Sequence, residues 1–160
     1  MSEHGAVEGW LGKVVGTVVH GAGRGRLLGF PTANVAPDSP DSPGSPSSVP
    51  EPAIYAGLMA RLSTGSLHPV TVSVGTNPTF SDGTDVHIEV YCHDLCAQLY
   101  GERVVVWLAS RIRDTVRFPS AEALVAAASE DVSTTVTTLT EEHRARAAVE
   151  LRAYRSQETQ

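Results

Sequence analysis

A chain of 160 residues, 41% hydrophobic and 19% charged, is long enough to bury its own core and reads as one domain. Its formal charge of −6 argues against a nucleic-acid surface, which needs clustered excess positive charge. No apolar run is long enough to span a bilayer, and Met1–Ala6 lacks the basic-then-apolar pattern of a signal peptide, so no membrane and a cytoplasmic location are expected.

Residues 1–9 are polar and glycine-bearing and read as a flexible N-terminus. From Trp10 to His20 the valines Val14, Val15, Val18 and Val19 carry a strand signal. The next stretch, through Val35, holds Gly21, Gly23, Arg24, Gly25 and Arg26 and closes on Pro31-Thr32-Ala33-Asn34. Glycines let backbone N–H groups approach an anion, and the two arginines can pair with phosphate oxygens. The run does not lead into a helix, so it fails the dinucleotide fingerprint, and as a bare glycine run it is equally a turn. Pro31 biases the chain to an extended shape, which projects Thr32 and Asn34 to one side. Their oxygens suit Mg²⁺, but neither is charged, so the metal would arrive with nucleotide phosphates. An Asn turn beside a buried Thr would give the same letters.

Residues 37–52, dominated by Pro and Ser, read as an exposed loop. Strand patterns follow at Ala53–Leu62, Pro69–Val74, Asp85–His93 and Arg103–Ile112, with turn signals at Ser63-Thr64-Gly65, Asn77-Pro78, Asp82-Gly83 and Tyr100-Gly101. The last strand is apolar on both faces around Trp107 and so reads as central. Several short strands joined by turns favour a closed antiparallel barrel. Glu89 sits mid-strand on the face of His87 and Tyr91, where a carboxylate is disfavoured by propensity. It reads either as a general base toward a hydroxyl or as a solvent-facing charge. Cys92 and Cys96 lack metal-site spacing and read as free thiols of a reducing compartment.

Ser120 and Glu122 then open a helix, whose apolar stripe is Ala121, Leu124, Val125, Ala128, Val132, Val136 and Leu139. The threonines of 133–140 weaken it and place a break near there. Glu141–Arg155 reads as a second helix whose mixed charges face solvent, so 140–160 is expected to be a charged helix or tail outside a 10–139 barrel domain.

The segment Gly16–Asn34, the run Ser73-Val74-Gly75-Thr76-Asn77-Pro78-Thr79-Phe80, Ile88-Glu89-Val90 with Asp94, Leu99-Tyr100-Gly101, and Arg111-Ile112-Arg113 through Phe118 to Leu124 and Asp131 together resemble riboflavin kinases over residues 10–139. The resemblance implies a mainly β fold, a six-stranded antiparallel Greek-key barrel with one or two C-terminal helices. It implies transfer of the ATP γ-phosphoryl group to the 5′-hydroxyl of riboflavin, giving FMN and ADP, with Mg²⁺ as cofactor and small molecules as the partners. By residue it implies Thr32 and Asn34 as metal and phosphate ligands, and Gly21 to Arg26 as the loop over ATP. Asn77, on a strand-end loop, would lie near the nucleotide. It implies Glu89 as the catalytic base, and Arg113, Phe118 and Leu124 on the flavin side. Ala53, Tyr91 and Gln98 replace a usual Gly, His and acidic residue, and the insertion at 37–52 is long. These departures leave a second reading, a flavin- or ligand-binding protein, or an enzyme of other chemistry, derived from the same barrel. Bacterial members often carry an adenylyltransferase domain, for which a chain of this length is expected to have no room.

Overall fold

The computed structural model describes residues 10–19, 32–38, 49–78, 84–93, 99–115 and 119–158. Six strands form a closed antiparallel barrel: β1 Gly12–Val19, β2 Ala33–Pro37, β3 Ala53–Arg61, β4 Ser66–Pro78, β5 Thr84–Cys92 and β6 Arg103–Arg113. Around the barrel they run β1-β2-β5-β4-β3-β6, and β6 pairs with β1 to close it. Two helices follow, α1 Ala121–Thr138 and α2 Glu141–Glu158.

The interior is one apolar cluster. Val14, Val18, Val35, Tyr55, Met59, Val72, Val74, Ile88, Val90, Val104, Val106 and Leu108 point inward from all six strands. The exterior divides into two halves. On β1, β3 and β6 the outward residues Val15, Leu58, Ala60, Val105 and Trp107 are also buried, beneath Trp10 and the α2 residues Ala147 and Leu151. A strand covered on both faces reads as a continuous apolar run, as in Val104-Val105-Val106-Trp107-Leu108. On β2, β5 and β4 the alternation survives, and polar side chains stay on the outside.

Two glycines allow close approaches. A Cβ at Gly16 would stand 2.2 Å from the Ala36 carbonyl oxygen, and one at Gly57 would stand 2.2 Å from that of Trp107. Both ends of the Pro/Ser stretch are tied down. Arg103 donates to both Asp38 carboxylate oxygens, at 2.8 and 3.0 Å, and the Tyr55 hydroxyl donates to the Glu51 carbonyl.

Three expectations need correction. Asn77-Pro78 is not a turn or strand-end loop: β4 continues through it, with Asn77 opposite Asp85. The first helix docks by only part of its apolar stripe: Val125, Ala128, Val132 and Leu139 are half-buried. Leu124 and Val136 are exposed, and the buried residues are Asp131 and Thr135, because the barrel surface beneath offers hydrogen-bonding partners. The second helix is not a solvated tail. Its charged residues include Glu150, whose carboxylate accepts hydrogen bonds from Trp10 Nε1 (2.9 Å), Trp107 Nε1 (3.0 Å) and Lys13 Nζ (3.2 Å). The break between the helices falls at Leu139–Thr140, as expected, and Ser120 Oγ caps α1 by accepting from the Ala123 amide.

Candidate active site

The open half of the barrel carries the candidate residues. Ala33 and Val35 pack toward the interior, so Asn34 points outward, and Thr32 lies two residues before it in extended chain. Ile88 and Val90 point inward, so Glu89 points outward. The β2–β5 register sets Asn34 directly opposite Glu89. From the other side, β4 sets Ser73 opposite Glu89. Directly opposed residues on one face of an antiparallel pair have Cβ atoms about 5 Å apart, within reach of one small ligand. β2 and the consecutive pair β4 and β5, far from it in sequence, therefore bring an amide, a hydroxyl and a carboxylate into one row.

Glu89 is exposed, while Thr32, Asn34 and Ser73 are half-buried. Among the described residues no side-chain hydrogen bond or ion pair engages Thr32, Asn34 or Glu89. Their oxygens are not consumed by the fold. Val19, the last residue of β1, is opposite Asn34. Val19 and Thr32, the described residues that flank the glycine-rich stretch, thus lie beside this row. Gly21, Gly23, Arg24, Gly25 and Arg26 themselves, and Phe118, lie outside the described residues. The backbone of Asn77 lies four residues beyond Ser73 on β4.

At the far end of the row stand Ile54, opposite Ser73, and Arg113, opposite Ile54. Arg113 is held by α1: its Nε and Nη2 donate to the two oxygens of Asp131 at 2.9 and 2.7 Å. A forked guanidinium on a carboxylate is a directional contact and fixes orientation as well as distance. Leu124 lies one to two turns nearer the start of α1, exposed. The structure thus brings together Thr32, Asn34 and Glu89, and sets Arg113 and Leu124 on the side of α1. Ser73 was missed as a site residue. It opened the run Ser73–Phe80 that resembles riboflavin kinases, but a polar position between Val72 and Val74, which any outward strand residue shares, gave it no role of its own.

No described helix is long and apolar enough to cross a membrane. Comparison with known proteins adds the ancestry. The family model for riboflavin kinase matches residues 10–139. The bifunctional riboflavin kinase/FMN adenylyltransferase of Listeria monocytogenes is 34% identical over 116 residues, 72% of this chain and 34% of that protein. The enzyme of the same description from Escherichia coli is 36% identical over 118 residues, 74% of this chain and 35% of its own. An RNA-binding riboflavin kinase of Bacillus subtilis is 31% identical over 75% of this chain and 48% of its own. The chain spans about a third of the length of the first two of these relatives. Among solved structures, a Streptococcus pneumoniae protein described as a macrolide-efflux protein superposes with a TM-score of 0.70 at 32% identity, covering 80% of this chain and 39% of its own. Riboflavin kinase from Trypanosoma brucei superposes with a TM-score of 0.54 at 26% identity, covering 80% of this chain and 79% of its own. With the family model matched from Trp10 to Leu139, across all six strands and α1, this chain belongs to the riboflavin kinase family.

Proposed function

We propose that the chain is an ATP- and Mg²⁺-dependent riboflavin kinase. The observation that carries the reading is the pairing of Asn34 with Glu89 on the open outer face, beside Val19 and Thr32, which flank the glycine-rich stretch. Phosphoryl transfer asks mainly for positioning and charge neutralisation. Thr32 Oγ1 and the Asn34 amide oxygen are hard oxygen donors suited to Mg²⁺ alongside phosphate oxygens. Bound there, the ion would neutralise charge on the transferring phosphoryl group.

Glu89 is the general base. Its carboxylate takes the proton of the riboflavin 5′-hydroxyl as that oxygen bonds to the γ-phosphorus. The bond from the γ-phosphorus to the β–γ bridging oxygen breaks, and ADP leaves. Arg24 or Arg26, with backbone amides of Gly21, Gly23 and Gly25, would hold the phosphates, and Asn77 would lie toward the nucleotide. Arg113, Phe118 and Leu124 belong to the flavin side.

The test is direct. Protein incubated with riboflavin, ATP and Mg²⁺ is expected to yield FMN and ADP in equal amounts. Tight riboflavin binding with no FMN would overturn the kinase reading in favour of a flavin-binding protein.

A further inference from the structure

The two residues of α1 that are buried are polar, while its apolar residues Val125, Ala128 and Val132 are only half-buried. Asp131 is 6% exposed and Thr135 fully buried, while Val136 is 59% exposed. Thr135 Oγ1 donates to the Asp131 carbonyl oxygen at 2.9 Å, which commits its single proton. The 2.7 Å contact with Thr71 Oγ1 on β4 must then be donated by Thr71. With the Thr71 proton committed in turn, the 2.8 Å contact with His93 Nε2 requires that nitrogen to carry the hydrogen. The chain has one direction: His93 to Thr71, to Thr135, to the Asp131 carbonyl. The carboxylate of Asp131 meanwhile grips Arg113 at the end of β6.

This chain sits one step along the outer face from the candidate base. Thr71 is two residues from Ser73 on β4, and Ser73 is opposite Glu89 on β5. The helix packs on β3, β4 and β6, whereas Thr32 and Asn34 belong to β2 and its approach, on the other side of Glu89. Glu89 therefore separates two territories. The β2 side would hold nucleotide and metal, and the space between Glu89 and α1 would hold the hydroxyl-bearing acceptor.

We infer that the brace Thr71–Thr135–Asp131–Arg113 sets the distance of α1 from Glu89, making Thr135 and Asp131 positioning residues for the flavin but not for ATP. The inference rests on the kinase reading. Its physical ground is directionality: an apolar contact tolerates sliding, whereas a buried hydrogen-bond chain fixes register and leaves an unsatisfied group if the helix shifts.

The test separates this from general destabilisation. Thr135→Val keeps the shape and deletes the hydroxyl. It is expected to raise the riboflavin KM about fivefold, the factor one net hydrogen bond commands, with ATP KM and kcat changed by less than about twofold. Thr135→Ser, which keeps the hydroxyl, is expected to restore the wild-type KM. Asp131→Asn is expected to show the same selective rise, and it decides the matter if Thr135→Val does not fold. Riboflavin Kd by fluorescence quenching gives a readout independent of turnover. An unchanged riboflavin KM and Kd in a folded variant would overturn the inference. So would a parallel rise in ATP KM, which means general loosening. Wild-type protein that binds riboflavin without making FMN would sink the kinase reading while the Kd comparison still judges the brace. Wild-type protein that does not bind riboflavin would sink both.

Discussion

At the scale of single residues, the site rests on two facts of different origin. The pairing of Thr32 with Asn34 on one side of the chain is local, because Pro31 and an extended backbone suffice to produce it. The pairing of Asn34 with Glu89 is not local; it exists because β2 and β5 are neighbours in register. Glu89→Gln keeps the shape and removes the base. Turnover is expected to fall by about 10²–10⁴-fold while riboflavin affinity stays within a few-fold, measured by steady-state kinetics against fluorescence titration. Equal losses in both would assign Glu89 to binding. Thr32→Ala is expected to raise the Mg²⁺ concentration for half-maximal rate about tenfold, and an unaltered metal titration would remove Thr32 from the site. Whether Glu89 was a base or a surface charge was undecidable from its strand pattern, since an outward position gives the same letters in both cases.

At the scale of elements, the helices show where periodicity misleads. The apolar stripe of α1 is present in the sequence, yet Leu124 and Val136 remain exposed, Val125, Ala128 and Val132 are only half-buried, and the two residues buried deepest are polar. In α2, Ala147 and Leu151 are too few apolar anchors to stand out among its charges, but they meet Trp10 and Trp107, which were waiting on the barrel. Glu150 completes the clasp. Burial pushes its carboxyl up, but the Trp107 and Trp10 indoles and Lys13 outweigh that and hold it below 4.5. Burial likewise pulls the Lys13 ammonium down, and the Tyr154 hydroxyl and Glu150 outweigh it, leaving it above 10.5. A depressed carboxyl contributes stability that is present above its unfolded pKa and lost as pH falls through the folded one. A raised ammonium contributes stability present below its unfolded pKa and lost as pH rises through the folded one. Glu150→Ala strands a buried ammonium and two indole N–H groups. It is expected to cost about 3 kcal/mol, or roughly 10 °C in Tm at neutral pH. The gap between wild type and variant should close as pH falls below 4.5 in thermal melts; a gap that persists in acid would show that charge is not what Glu150 supplies.

At the scale of the whole molecule, the barrel has a covered half and a working half. The covered half, β1, β6 and β3, lies under α2; the other, β2, β5 and β4, keeps the polar row outside. Both tryptophans of the chain are fully buried in the covered half, where α2 covers them, so their fluorescence is sensitive to whether α2 is in place. Removing residues 141–160 is expected to shift the emission to the red and to promote association through the uncovered Val105, Trp107 and Leu58. Emission unchanged by the deletion would mean that α2 is not what covers these rings. Asp38, tied to Arg103, also shows that the Pro/Ser stretch departs from a fixed point on the barrel.

The sequence by itself determined five of the six strands, the closed-barrel class, the helix break and the common side of Thr32 and Asn34, because alternation, turn residues and proline act over a few residues; the short β2, Ala33–Pro37, read only as extended chain and was recognised as a strand by its pairing with β1 and β5. Its combination of motifs also marked the family. The tertiary structure alone decided three further things. It put Asn34 opposite Glu89, it buried Thr135 and Asp131 more deeply than the apolar stripe of the same helix, and it made a charged helix the cover of two tryptophans. Each depends on what lies across a gap in space, between residues tens of positions apart, and strand register, buried hydrogen bonds and helix docking are properties of both partners together. No period within either one encodes them.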